Sequence, residues 1–213
     1  MTDATARPDR RALIGGIAAL GLLPGCAVLS ALGSAQGPSA AFDLALDRDM
    51  PAAGAPIGTE LVIALPATSG ALATDRILVR PAPIEAQYLP DARWTEAAPQ
   101  VIQTLLVRGF EATGGWDHVG RASFAGPPDH LLVSDLVAFE VVLGADGAAG
   151  VRAALAAQLL AEGGARRLGA RRFEAAAPIA DLDPETVAAA LNAAAGEVLA
   201  ALAAWAIRTA RGG

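Results

Sequence analysis

The stretch from Gly70 to Leu106 constrains the fold most, because it combines a strand, an extended connection and a helix start in one run. The apolar run Ile77-Leu78-Val79 is stopped by Pro81 and Pro83, a pattern typical of a strand that ends at a sheet edge. The sequence therefore predicts that a sheet is built around this run.

The second half of the stretch predicts a turn and a helix. Ile84 to Tyr88 alternate in polarity until Pro90-Asp91 is expected to turn the chain. Thr95 then offers an N-cap, with Glu96 in the first turn, and Pro99 is tolerable in that turn because amides there lack intrahelical partners. The helical spacing predicts a buried face of Ile102, Leu105, Leu106 and Gly109.

Apolar runs bounded by turn residues predict further strands along the chain. The expected strands are Phe42–Leu46, Leu61–Leu65, Trp116–Ala122, His130–Leu143 and Leu168–Ala177. Residues 151–160 are compatible with a helix by composition, but their alternation and the flanking turns Asp146-Gly147 and Glu162-Gly163-Gly164 favour a strand. Three of these strands would then form an antiparallel meander.

The last segment predicts a long helix. Asp183 is placed as its N-cap, Pro184 at its first position and Glu185 favourably toward its dipole. Its expected buried stripe is Val187, Leu191, Ala194, Val198, Leu202 and Trp205. Residues 41–213 are accordingly expected to form an α+β domain, a mostly antiparallel sheet with two principal helices packed on it, mixed strand pairing being left open.

The N-terminus reads as a lipoprotein signal peptide over residues 1–25. Three Arg precede the apolar run Ala12–Leu23, whose 12 residues are too few to cross a bilayer as a helix, and the run ends at Pro24-Gly25-Cys26. Cys26 is the predicted lipidation site, carrying diacylglycerol and an N-acyl chain that anchor the protein in the membrane. The alternative is a signal peptide cut elsewhere, and both general and twin-arginine export routes fit Arg10-Arg11.

Residues 26–40 are expected to be the lipidated Cys and a flexible tether. Ser30 to Ala40 contain two Gly, three Ser and Pro38 and have too little apolar bulk to pack, and no apolar run after Cys26 approaches about 20 residues. The mean hydropathy of +0.42 is therefore attributed to alanine and to the leader.

Composition excludes a nucleic-acid binder, because the net charge is −6 and the pI about 4.9. No catalytic or metal site is predicted, and no cofactor: His118 and His130 have no Cys to join them, and Ser134-Asp135 is not a nucleophile elbow. Gly147 and Gly150 are interpreted as turn residues between two strands.

Two motifs carry a resemblance to a known family. The first motif is Thr74-Asp75-Arg76-Ile77-x-Val79-Arg80, which matches that family's Thr/Ser-Asp-Arg-Ile-x-x-Arg strand. The second is Tyr88 with Ala92-Arg93-Trp94, which matches the Tyr and the Arg-Trp that precede a helix in the same family. In this order, between a leader ending in Cys and a long last helix, they resemble the ABC-type transport auxiliary lipoprotein family, which accompanies MCE-type lipid transport systems of Gram-negative bacteria.

The resemblance implies a non-enzymatic, periplasm-facing lipoprotein that anchors or docks an MCE protein at the outer membrane and, through it, an ABC permease and ATPase. Ala27 after the Cys fits the outer membrane, the inner membrane being left open. Self-association into a ring is also left open. The alternative is a carrier lipoprotein with its own acyl-chain cavity.

Two groups of arginines are candidate contact sites. The first comprises Arg76, Arg80, Tyr88, Arg93 and Trp94, because Tyr, Trp and Arg are frequent in binding hot spots. The alternative is that Trp94 packs the first helix on the sheet while an Arg pairs with Asp75 or Glu96. The second group comprises Arg166, Arg167, Arg171 and Arg172, interpreted either as a solvated hairpin tip or as a site for phospholipid head groups or an acidic partner.

Overall fold

The 14-residue strand His130–Leu143, labelled β7, runs through the middle of the sheet, and most other strands are ordered by their pairing to it. The computed structural model describes residues 39–123, 126–144 and 147–212. Within these residues the strands are β1 (Ala40–Phe42), β2 (Glu60–Ile63), β3 (Ala67–Thr68), β4 (Arg76–Arg80), β5 (Gln87–Trp94), β6 (His118–Gly120), β7 (His130–Leu143), β8 (Ala149–Ala161) and β9 (Arg166–Ile179).

The two edges of β7 are paired differently. One edge pairs antiparallel with β8, which pairs antiparallel with β9, so the predicted meander is confirmed. The other edge pairs in parallel with β2, β3 and β4 in turn. Beyond β2 lies β6, and beyond β4 lie β5 and then β1. The sheet is therefore mixed, with its longest ladders antiparallel.

The predicted hairpin between β7 and β8 is present. Leu143 pairs with Ala149 and Glu140 with Arg152, and Gly147 adopts the left-handed φ of 82° that a tight turn requires. Asp146 itself lies outside the described residues. The ambiguous segment 151–160 is a strand, whose side chains Val151, Ala153, Leu155, Ala157 and Leu159 are all buried.

Helix α1 (Ala98–Ala112) begins later than the sequence predicts. Its N-cap is Ala97, without a side-chain cap, so the prediction that Thr95 caps the helix with Glu96 in its first turn is wrong. The reason is that the preceding segment still bonds to neighbouring segments, since the Thr95 amide donates to the Phe42 carbonyl at 2.8 Å. Pro99 falls in the first turn, as expected.

Helix α2 (Pro184–Gly212) begins as predicted, because the Asp183 carboxylate accepts from the Glu185 amide at 3.1 Å. The predicted stripe is buried except for Trp205, which is half-buried. By length and composition α2 could cross a membrane, which was not expected after Cys26, but 56% of its most apolar window is buried inside the domain. We therefore interpret α2 as a core helix.

Three further details of the strands differ from the prediction. The first strand is Ala40–Phe42 and not Phe42–Leu46, although Leu44 is buried. Pro90-Asp91 does not turn the chain but forms a bulge inside β5, where Asp91 has a φ of 54°. β4 is not at an edge, because β5 and β7 flank it and its prolines follow its last residue.

Candidate functional site

The two helices pack on one face of the sheet, and the ion pairs between its strands lie on the other. Ile102 of α1 and Val198 of α2 line a small apolar void with Leu136 and Leu155 of the sheet. Because side chains alternate along a strand, Arg152 and Arg172 lie on the opposite face. We call this second face the open face.

A continuous row of charges crosses the open face. Arg80 of β4 donates through Nε to Glu140 Oε2 of β7 at 2.7 Å, and Arg152 of β8 donates through Nη2 to Glu140 Oε1 at 2.6 Å. On β9, Glu174 lies 3.8 Å from Arg152 and 2.8 Å from Arg172. We call these five residues the ionic strip; it links four adjacent strands and carries three positive and two negative charges.

Burial makes Glu140 the central member of the ionic strip. Its side chain is 1% exposed, whereas those of Arg80 and Arg152 are 26% and 39% exposed. A buried carboxylate is costly unless it is paired and hydrogen-bonded, and two guanidinium groups satisfy both of its oxygens. Glu140 therefore fixes both arginines on the open face while leaving part of each guanidinium accessible.

The predicted contact residues Arg76 and Tyr88 lie beside the ionic strip. The guanidinium of Arg76 sits 4.2 Å from the centre of the Tyr88 ring, within cation–π range, and the Tyr88 hydroxyl donates to the Ala71 carbonyl at 3.3 Å. Both residues share the open face, because Tyr88 pairs with Leu78 and Leu78 pairs with Glu140. Arg93 pairs with Asp75 at 3.6 Å, both half exposed or nearly so.

Trp94 is separated from this group by its burial. It is 1% exposed and stacks on Phe139 with ring centroids 5.0 Å apart. The structure thus matches the alternative in which Trp94 packs in the core while an arginine pairs with Asp75. In this conformation Trp94 presents no surface to a partner.

The second arginine group lies along β9. Arg166 pairs with Glu162 at 2.8 Å beside the turn, and Arg172 belongs to the ionic strip. Arg171 lies over the Phe173 ring at 5.3 Å. The group is therefore not confined to a hairpin tip, since half of it lies in the middle of the strand.

The histidines and glycines considered as possible metal or nucleotide ligands lie in or beside strands of the sheet. His130 is 9% exposed, its Nδ1 lies 3.1 Å from Thr59 Oγ1, and burial lowers the pKa of its ring. His118 is exposed at the start of β6. Gly150 belongs to β8. Among residues 39–123, 126–144 and 147–212, no three metal-ligating side chains cluster.

Glu140 and Arg152 were not among the residues predicted from the sequence. Arg152 is the one charge in β8, whereas β7 carries both Asp135 and Glu140, and the hairpin register places Glu140 opposite Arg152 and Asp135 opposite Ala156. Combining the turn signal with these exceptions to the apolar pattern could have found the pair.

A mixed open sheet with two helices on one face and a charged open face defines this chain as an α+β domain with a free sheet surface. The family model of the ABC-type transport auxiliary lipoprotein component matches residues 44–203. The chain belongs to that family.

Solved structures agree with this assignment. A crystal structure of a Xanthomonas campestris protein of the family model DUF330 is 28% identical, has a TM-score of 0.72, and is matched over 81% of this chain and 98% of that chain. An uncharacterised protein at 14% identity has a TM-score of 0.61 over 79% of this chain and 99% of its own, which shows the fold alone. No protein of curated function matches the chain.

Proposed function

We propose that this chain is a non-enzymatic, periplasm-facing lipoprotein subunit of an MCE-type ABC lipid transport system, and that it docks the MCE protein at the outer membrane. The observation that carries the proposal is the match of the auxiliary lipoprotein model to residues 44–203, which span nearly the whole described domain. The finer assignment to an MCE system rests on the motifs around Arg76 and Tyr88.

The attachment to the membrane is assigned to Cys26, which lies outside the described residues. Diacylglycerol on its thiol and an acyl chain on its amine supply the two or more chains that stable anchoring needs. The 12 residues between Cys26 and Ser39 would then hold the domain within about 20 Å of the lipid surface, if they behave as a flexible chain.

The docking surface is assigned to the open face around Arg76, Arg80 and Tyr88. These side chains combine aromatic area with charge, the composition of many binding hot spots, and β4 and β5 hold them on rigid elements. The MCE protein would bind here and connect the chain to the ABC permease and ATPase.

The alternative function, a carrier that holds acyl chains in its own cavity, is less well supported. The void between the helices and the sheet has a volume of about 10 Å³. Pockets for small molecules usually start at roughly 300 Å³. The alanine-rich core is closely packed at this position, so an acyl chain would require the helices to move away from the sheet.

Mixing the full chain with the periplasmic part of its cognate MCE protein, and measuring mass by light scattering, tests the proposal. We expect a complex at tens of micromolar, and Arg76→Glu on the open face should weaken it. The matched control is Arg208→Glu on the exposed side of α2, which should not. A chain that forms no complex and co-purifies with stoichiometric lipid would support the carrier function instead.

A further inference from the structure

The outer edge of β9 is the longest free sheet edge in the described part of the chain. β9 has 14 residues and pairs with β8 alone, whereas β1 and β6, at the other ends of the sheet, have three residues each. An edge strand leaves alternate backbone N–H and C=O groups without strand partners, and such a row can pair with another extended chain.

The arginines of β9 give this edge a charge opposite to that of the protein. Residues 166–179 contain four Arg and one acidic residue, a net charge of +3, while residues 26–213 as a whole carry −7. Arg166 and Arg172 are paired with Glu162 and Glu174. Arg167 and Arg171 form no ion pair with a described residue, so both guanidinium groups can meet a carboxylate from outside.

The positions of the arginines suit an added strand. Arg171 pairs with Ala157 on the helix-covered face and Arg172 with Ala156 on the open face, so positive charge flanks the edge on both sides. The neighbouring side chains are small, and Ala170 and Ala176 are exposed. The backbone of β9 is therefore accessible between the charged groups.

We infer that the free edge of β9 binds, by strand addition, an extended segment of a partner protein that carries carboxylates on both of its faces, because Arg167 pairs with Leu160 on the open face and Arg171 with Ala157 on the helix-covered face. Main-chain hydrogen bonds would supply affinity, and Arg167 and Arg171 would select acidic side chains. The edge of a second copy is a poor occupant, because two edges of charge +3 repel one another. The inference rests on the proposed function and deepens it: the partner that meets Arg76, Arg80 and Tyr88 on the open face would also add a strand at the edge of β9.

Three synthetic peptides test the inference on the full chain: a seven-residue peptide of sequence EEVEEVE, which places Glu on both faces of a strand, the same peptide with Lys for Glu, and the Glu peptide with N-methylated backbone amides. We expect the first to bind and to slow hydrogen exchange of amides in 166–179. The other two should bind at least about tenfold more weakly, because they lack the charge or the donors.

Matched protein variants separate this edge from general electrostatics. Arg167→Gln with Arg171→Gln should weaken the Glu peptide about three- to tenfold, the range of two exposed ion pairs. Arg121→Gln with Arg208→Gln removes the same charge from exposed positions elsewhere and should leave binding unchanged. Equal effects of the two pairs, or equal binding of the N-methylated peptide, would overturn the inference, as would a dimer formed through β9.

The same variants distinguish this inference from the proposed function. If the MCE protein binds the Arg167→Gln, Arg171→Gln variant as well as the parent, strand addition at β9 is wrong while the proposed function stands. If the Glu peptide binds β9 and the MCE protein binds no form of the chain, the site stands and the proposed function fails.

Discussion

A single carboxylate, that of Glu140, joins three strands of the sheet through its two arginine partners. Its burial at 1% exposure means that it cannot recover its hydration if either partner leaves. The ionic strip is therefore a structural support for the open face as well as a part of its charge.

Glu140→Gln should destabilise the domain by about 1 to 3 kcal/mol. The amide keeps the shape and some hydrogen bonding but loses the charge-assisted bonds to Arg80 and Arg152, which remain partly hydrated. Urea unfolding of the full chain measures the loss, with Glu197→Gln on the exposed side of α2 as control. A midpoint shift no larger than that of the control would show that the ionic strip adds no stability.

Trp94→Ala should cost about 3 to 5 kcal/mol, as for other large buried side chains. The indole is 1% exposed and its removal would leave a cavity against Phe139. The same unfolding measurement decides: an unchanged midpoint would contradict the core assignment and return Trp94 to the set of contact residues.

Among the helices and strands, the sequence predicted the type of each element better than the residues at which it begins and ends. β7, the β7–β8 turn, β9 and the start of α2 are encoded locally, by alternation, by Gly and by the Asp183-Pro184 cap, and the structure confirms them. The predicted N-cap at Thr95 and the predicted turn at Pro90-Asp91 were wrong because β1 pairs with residues 92–94. This contact joins segments some 50 residues apart, and no local pattern reveals it. The ionic strip depends on the register of four strands. The sequence singled out Arg80 and Arg172 at its two ends, but no local pattern showed that Glu140, Arg152 and Glu174 connect them.

The contact between α1 and α2 depends on Gly109, where a Cβ would overlap the Leu199 side chain. Gly109→Ala gains up to about 1 kcal/mol of helix propensity but should lose about 1 to 3 kcal/mol to overpacking, so a net loss or near balance is expected. The single variant Leu199→Ala should leave a cavity between the two helices. In the double variant the alanine partly fills that cavity.

A double-mutant cycle on Gly109 and Leu199 measures this coupling by urea unfolding. We expect the double variant to be more stable than the sum of the single effects, by about 0.5 to 3 kcal/mol. Additive effects would show that the two helices can separate without cost at this position.

At the scale of the whole molecule, the α+β class and the family follow from the sequence, whereas the parallel pairs of the sheet do not. Parallel pairing joins segments separated by long connections, so neither turn chemistry nor periodicity reports it. The anchor stays a prediction, since Cys26 lies outside the described residues.

Cys26→Ser should abolish lipidation and release the protein from membranes. The serine hydroxyl cannot take the place of the thiol to which the diacylglycerol is attached. Detergent partitioning and the intact mass of the mature chain are measured for both forms. Equal partitioning, with no mass difference beyond the substitution itself, would contradict the lipid anchor.

The proposed function requires the anchored domain to dock an MCE protein through its open face. Photo-crosslinking in cells tests it most directly, with a photoreactive amino acid placed at Tyr88 on the open face or at Arg208 on the exposed side of α2. We expect a crosslink to the MCE protein from position 88 and none from position 208. Crosslinks from position 208 alone, or from neither position while the chain is membrane-bound and folded, would contradict it.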